Sequence, residues 1–250
     1  MSFKIIDVTS DNFEKYGFYC VKNQKSSGYA AKKEWFTQSC NSSVTIKMAV
    51  DEKDKNLGFL EFSDSEHAWR PVSAENYLFI NCIMVHGKKD RNKNVASKLI
   101  NSVVDDAISK GKSGVCVMTS KGSWIADSSV FEKNSFKIVE KIGRFELLVR
   151  VLDENSALPV FINWEKNLAK YQGWNLIYAD QCPWHEKSVT DMKQVAKEQN
   201  IELNIIKLET PKEAQNAPSG FGTFSIVYNG KLIEDHYISK TRFKNILLKE

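Results

Sequence analysis

Apolar residues fall into two rhythms along this chain. Runs of strand length, bounded by turn residues or charges, predict strands at Phe3–Val8, Val44–Val50, Leu57–Phe62, Leu78–Val85, Gly114–Thr119, Phe136–Lys141 and Phe145–Val151. The second and third are separated only by the charged stretch Asp51–Asn56, which predicts an antiparallel pair across a turn. Helical spacing is clearest in Asn94–Ser109, where Val95, Leu99, Ile100, Val103, Val104 and Ala107 repeat on one face before Gly111. A second helix is expected over Gly28–Thr37, with Tyr29, Trp35 and Phe36 as its apolar surface. Ser10 and Asp11 predict a capped helix running towards Cys20, and Ser128–Asn134 a short one.

The rhythm changes after residue 151. Asp153, Glu154, Asn155 and Pro159 mark a connector over 152–173, carrying an amphipathic helix Phe161–Tyr171 that ends at Gly173. From 174 the expected order is a strand Asn175–Tyr178, a helix to about Gln199, a strand Glu202–Lys207, and a hairpin turning at Asn229-Gly230. A last helix, Lys240–Leu248, follows. The chain therefore reads as α/β (α+β), with a first domain over 1–151 and a smaller α/β domain over 174–250.

Composition narrows the function classes. A net charge of +4 is mild, and no region gathers Lys and Arg with aromatics, so no nucleic-acid partner is expected. The longest uncharged apolar run, Tyr77–Val85, is far below the ~20 residues of a membrane helix, and Met1–Asp7 lacks a signal-peptide core. The five cysteines are scattered, with no metal-ligand spacing, so no metal site is expected and the reading is a reduced, cytoplasmic protein.

Candidate chemistry concentrates in Tyr77–Ile100. A strand stops abruptly, a loop with Lys88, Lys89, Arg91 and Lys93 follows, and a helix begins at Asn94-Val95-Ala96. A helix start presents unpaired N–H groups and a positive dipole end, which suit a pyrophosphate. Arg91-Asn92-Lys93-Asn94-Val95-Ala96 resembles the acetyl-CoA-binding motif Arg/Gln-x-x-Gly-x-Gly/Ala of the GNAT superfamily of N-acetyltransferases. The first motif glycine is Asn94 here, and Asn is the residue that best tolerates left-handed backbone angles in a glycine's place. Ser128–Lys137 also resembles the superfamily's later motif, Leu-Tyr-Glu-Lys-x-Gly-Phe.

The resemblance covers about three-fifths of the chain and implies a mixed twisted sheet flanked by helices. It implies acetyl-CoA as cosubstrate and an amine of a small molecule or peptide as acceptor, attacking directly in a ternary complex. By that resemblance Ile83, Met84 and Val85 bind the pantetheine arm through their backbone, Arg91, Asn92, Lys93, Asn94, Val95, Ala96 and Ser97 hold the pyrophosphate, and Phe131 lies at the cofactor. Phe131 occupies the position of the tyrosine that in many such enzymes protonates the leaving thiolate, so no catalytic acid is assigned. Glu61, Glu75 and His67 lie near the expected acceptor site, each read as a surface residue, and none is assigned as base. Trp35, Phe36, Trp69 and Tyr77 are candidate aromatic lining. An alternative reading is a CoA-binding sensor or interaction module without turnover.

In the second domain, strand–Cys182-Pro183-Trp184-His185–helix with a late Asn-Gly hairpin resembles the thioredoxin/glutaredoxin fold. Its combination with a GNAT domain resembles the YoaP-like acetyltransferases. A helix N-terminus lowers a thiol's pKa, and His185 lies one turn on. The resolving cysteine of a Cys-x-x-Cys pair is His185 here, and Gly222 stands before Thr223 where such folds carry proline. Both departures argue against dithiol chemistry and leave monothiol activity at Cys182 as the alternative.

Overall fold

The computed structural model describes residues 2–39, 43–85, 94–122 and 125–249, so Cys40 and the predicted site residues Arg91, Asn92 and Lys93 lie outside the described residues. The chain forms two compact units, one of residues 1–22, 37–68 and 72–161, the other of 23–36, 69–71 and 162–250.

The first unit begins with β1 (Phe3–Val8) and α1 (Phe13–Tyr16). The helix expected to reach Cys20 stops after one turn, because Gly17 adopts φ 58°, ψ −153°, which only glycine enters readily. Next in the chain comes α2 (Ser27–Ser39), whose residues as far as Phe36 belong to the second unit. The first unit continues with β2 (Val44–Asp51), β3 (Asn56–Asp64), β4 (Val72–Ser73), β5 (Tyr77–Val85), α3 (Val95–Ser109), β6 (Gly114–Ser120), α4 (Ser129–Glu132), β7 (Lys137–Ile142), β8 (Phe145–Val151) and β9 (Val160–Phe161).

Seven strands form one mixed sheet in the order β1-β2-β3-β5-β6-β8-β7, as the sequence resemblance implies. Among the described residues of this sheet only β5 and β6 pair in parallel, and α3 lies in the crossover that joins them. The apolar stripe of α3 (Val95, Leu99, Ile100, Val103, Val104, Ala107) buries against Leu60, Phe62, Leu78, Ile80, Val115, Val117 and Leu148 of the sheet. Burial of that stripe, rather than helix propensity, holds α3 in place. The sheet edge is tied to the same helix by Lys47, a buried ammonium bridging Asp7 at 2.8 Å and Asp106 at 2.9 Å. Burial pulls its pKa down, but hydrogen bonds to the two carboxylates outweigh this and raise it.

In the second unit a 3₁₀ turn spans Glu165–Lys170, where an amphipathic helix Phe161–Tyr171 was expected. Val160 and Phe161 are drawn instead into β9, paired with Val72 and Ser73 of β4 in the first unit's own two-stranded sheet, which leaves too short a segment for an α-helix. Then follow β10 (Trp174–Tyr178), α5 (Pro183–Glu198), β11 (Leu203–Lys207), α6 (Pro211–Gln215), β12 (Phe224–Tyr228), β13 (Lys231–Glu234) and α7 (Lys240–Leu247). Their sheet runs β11-β10-β12-β13, with β10 and β11 parallel and the other pairs antiparallel. The α6 turn carries a capping box, Thr210 accepting from Glu213 N while Glu213 accepts from Thr210 N. Glu198 at the end of α5 binds Lys240 at 3.0 Å and Lys244 at 2.8 Å of α7, and those hydrogen bonds hold its pKa down at about 2. Among the described residues no helix is long and apolar enough to cross a membrane.

Candidate functional site

Strand β5 changes character halfway along. Its parallel ladder with β6 covers Tyr77–Ile80 against Gly114–Val117 and goes no further, although β6 continues to Ser120. At the same point its antiparallel register with β3 slips: Phe62 faces Ile80 and Glu61 faces Cys82, so Asn81 is the extra residue of a bulge. The Asn81 amide nitrogen donates to Ser63 Oγ at 3.1 Å, which pins the bulge. Tyr77–Asn81 are buried, whereas Cys82, Ile83, Met84 and Val85 are half-buried. Those four remain paired to β3 on one side and lie beyond the end of the β6 ladder on the other. This leaves a backbone edge able to pair with an extended ligand, the mode in which a peptide-like arm adds to a sheet.

The strand end and the helix start are brought together by Gly58. A Cβ there would lie 2.8 Å from Val85 Cγ2, 3.0 Å from Met84 O and 3.2 Å from Val95 Cγ1. Asn94 caps α3 in the left-handed conformation, φ 56° and ψ 27°, which is the role a motif glycine would fill. Val95 is fully buried under the helix, while Ala96 and Ser97 stay half-buried at its first turn. Ser97 Oγ accepts from the Asn134 amide at 3.2 Å. Phe131 is fully buried in the core beneath α3, edge-on to Phe136 with centroids 5.5 Å apart. The arrangement of a strand end beyond the β6 ladder, a close glycine and a left-handed helix entry fits an acyl-CoA: an extended amide arm followed by a pyrophosphate.

Of the candidate acids and bases, Glu75 and His67 are exposed as expected. Glu61 is not: it is fully buried on β3, directly across from Cys82 beside the bulge. Of the expected aromatic lining, Tyr77 is buried, its hydroxyl 2.8 Å from Ser156 Oγ, and Trp35, Phe36 and Trp69 are buried in the second unit.

A different arrangement stands at the start of α5. Cys182 is the N-cap residue, with extended backbone angles, and Pro183 occupies the first helical position. His185 sits one turn on with its N–H donating to Cys182 O at 3.1 Å. Its Nδ1 lies 2.8 Å from Ala179 O, which fixes the proton on Nδ1 and leaves Nε2, among the described residues, with no partner. Burial, with the fields of Arg70 and Lys32, pulls the imidazole pKa down to about 3 against the Ala179 hydrogen bond, so the ring is neutral.

Both cations come from segments remote in sequence. Lys32 of α2 is 1% exposed, donates from Nζ to Gln181 O at 2.5 Å and lies 4.8 Å from the Trp35 ring. Arg70 is 6% exposed, donates from Nη1 to Thr223 Oγ1 at 3.0 Å and to Trp69 O at 2.9 Å, and stacks 4.8 Å from Phe221. Two glycines permit the approach: a Cβ on Gly28 would meet Pro183 O at 2.0 Å, and one on Gly222 (φ 74°) would meet Trp69 O at 2.8 Å. Sequence reading missed both cations. The signal for Lys32 was its place three residues from Tyr29 and from Trp35 on α2, where helical spacing calls for an apolar side chain.

Known proteins resemble this chain over different stretches. The model of the YoaP-like family matches residues 202–245. Along 248 residues, 97% of each chain, the protein is 25% identical to a Bacillus subtilis (strain 168) protein named "Uncharacterized N-acetyltransferase YoaP". Among solved structures it is similar to aminoglycoside 6'-acetyltransferase type Ii, at 14% identity and TM-score 0.46, covering 60% of this chain and 97% of that one. It is also similar to Arabidopsis thaliana NAA60 in complex with acetyl-CoA, at 14% identity and TM-score 0.42, covering 60% of this chain and 99% of that one. The similarity to the Bacillus protein spans both units.

Proposed function

We propose that the protein is an acetyl-CoA-dependent N-acetyltransferase acting on an amine of a small molecule or peptide. The observation that carries this reading is the parting of β5 from β6 after Ile80, with the bulge at Asn81 and a left-handed helix entry at Asn94 behind it. The relative named N-acetyltransferase supports it across nearly the whole chain.

Acetyl-CoA supplies an activated acyl group and a thiolate leaving group. The chain's own part is to bind and orient. The backbone of Ile83, Met84 and Val85 pairs with the pantetheine arm. N–H groups at the start of α3, from Asn94 to Ser97, with Arg91, Asn92 and Lys93 before them, hold the pyrophosphate. A backbone N–H among Ile83, Met84 and Val85 would also donate to the thioester oxygen, where preorganised donors are worth several kcal/mol (about 2.7–4 for one donor). Phe131, buried and without a proton to give, packs the floor beneath α3 and takes no part in proton transfer. Thiolate departure then draws its proton from solvent or from the ammonium.

The second unit, on this reading, is a thioredoxin-like module. The β11-β10-β12-β13 order, with a helix leaving β10 through Cys182-Pro183, supports that assignment. The experiment is a thiol-release assay with acetyl-CoA against a panel of amines that includes spermidine, an aminoglycoside and peptide N-termini. Turnover well above acetyl-CoA hydrolysis is expected on one class. Saturable acetyl-CoA binding with no turnover on any amine would replace the transferase by a CoA-binding module.

A further inference from the structure

We infer that Glu146 recognises the acceptor, an alkylamine that enters the cleft as its ammonium ion; the inference rests on the transferase reading above. The starting point is a carboxylate oxygen that nothing answers. Glu146 is 4% exposed. Lys141 binds its Oε1 at 2.9 Å across the β7–β8 ladder, whereas Oε2, also buried, has no hydrogen-bond partner among the described residues. A buried charged oxygen left without a donor is costly, and a second donor relieves that cost, most fully when it is itself cationic.

Strand register puts this oxygen at the proposed cleft. β6 pairs with β5 only as far as Val117, yet with β8 as far as Ser120. Glu146 pairs with Thr119, so it stands beside the stretch of β6 that lies beyond the β5 ladder. Its face follows from alternation: Val117 and Leu148 pack in the core under α3, and Thr119 and Glu146, two residues along each strand, share that side. Ile83 and Val85 pack against the same core, so the carboxylate and the strand end proposed to hold pantetheine share one face of the sheet. Two strand spacings, ~10 Å, separate the line of β8 from that of β5.

The surrounding cations leave the vacancy for a ligand. Lys141 comes from β7, on the side of β8 away from β6 and the cleft, and takes Oε1. Arg144 donates from Nη1 to Ser120 Oγ at 2.7 Å and lies 4.4 Å from the Phe145 ring. Arg150 donates from Nη1 to Asn101 Oδ1 at 3.0 Å. A carboxylate so placed selects by charge. An alkylamine is an ammonium at neutral pH and brings both the donors and the charge that Oε2 lacks, while an arylamine is neutral and brings a weak donor only.

The test uses the full-length protein with CoA present and two amines of like shape: cyclohexylamine, charged at neutral pH, and aniline, neutral there. Ligand-observed NMR titration gives both affinities. The wild type should bind cyclohexylamine about tenfold or more tightly than aniline, as a hydrogen bond to a charged group predicts. Glu146→Gln keeps the side chain's shape; it should weaken cyclohexylamine by about tenfold or more while aniline and acetyl-CoA affinities hold within about twofold. Circular dichroism checks its fold. No cyclohexylamine binding by the wild type, or equal affinity for the two amines, overturns the inference without any variant. A folded Glu146→Gln with unchanged cyclohexylamine affinity overturns it too, and gives Oε2 to a water. A wild type that does not bind acetyl-CoA fails the cofactor reading instead, and the cyclohexylamine comparison still decides the role of Glu146.

Discussion

The β5 cleft and the start of α5 present their hydrogen-bond donors by opposite means. In the cleft the donors are backbone: a strand that parts from its neighbour and a helix entered through a left-handed residue. Its side chains serve mainly to pack, as Phe131 and Val95 do, and almost any residue of suitable size would leave the N–H groups where they are. At α5 the donors include two long cationic side chains, delivered from α2 and from the 69–71 segment through contacts that only glycine permits at 28 and 222. A backbone site tolerates substitution of its lining. A side-chain site built through close contacts does not, and the two should fail under different mutations.

Gly28→Ala should have the largest effect. Alanine is the better helix former by ~1 kcal/mol, yet its Cβ would sit 2.0 Å from a backbone oxygen, so helix α2 must shift from Pro183. We expect a net loss of about 3 kcal/mol in the second unit, at the upper end for a forced fit. Five of the six tryptophans lie in that unit, so intrinsic fluorescence during urea unfolding reads it directly. Gly58→Val, the corresponding change at the cleft, meets a side chain first and should cost about 2 kcal/mol, with weaker acetyl-CoA binding by calorimetry.

The pH response should separate the units as well. His185 stays neutral in the folded state down to about pH 3, while in the unfolded chain it protonates near the ordinary ~6.5. Between those values the unfolded state binds the extra proton, so stability is intact above ~6.5 and falls as pH drops, by up to ~1.4 kcal/mol per unit. Unfolding followed by tryptophan fluorescence should show a loss on the order of 2–3 kcal/mol between pH 7 and 4.5. His185→Phe should flatten that dependence. If the slope persists in the variant, other groups own it.

Smaller effects belong to the first unit. Lys47→Met leaves Asp7 and Asp106 without their shared cation, but both carboxylates reach solvent, so ~1 kcal/mol is expected in urea unfolding. Asn94→Gly should be neutral or stabilising by a few tenths of a kcal/mol, since glycine enters φ 56° freely, and Asn94→Val should cost about 1–2 kcal/mol.

This contrast also explains what could be read in the sequence. The Tyr77–Val85 run and the α3 stripe were plain because local periodicity follows directly from a central strand and a half-buried helix. Asn94 was legible for the same reason: a left-handed entry has a short roster of residues. Gly17 ends α1 early by the same local chemistry, a signal present in the sequence. What local pattern hides is partnership. Phe161 reads as a helix start because nothing near it in the sequence reveals its pairing with Val72. Likewise Glu61 was read as surface because its burial comes from strands and packing far along the chain. Lys32 and Arg70 escaped notice because their meaning lies in Gln181 and Thr223, more than a hundred residues away.

The central claim, an acyl-CoA cleft at the open edge of β5, meets its most direct test in isothermal titration of the full-length protein with acetyl-CoA, beside the Arg91→Ala/Lys93→Ala double variant. Saturable one-to-one binding by the wild type, weakened at least tenfold in a normally folded double variant, is the predicted result. No binding by the wild type, or the same affinity in both, would contradict it.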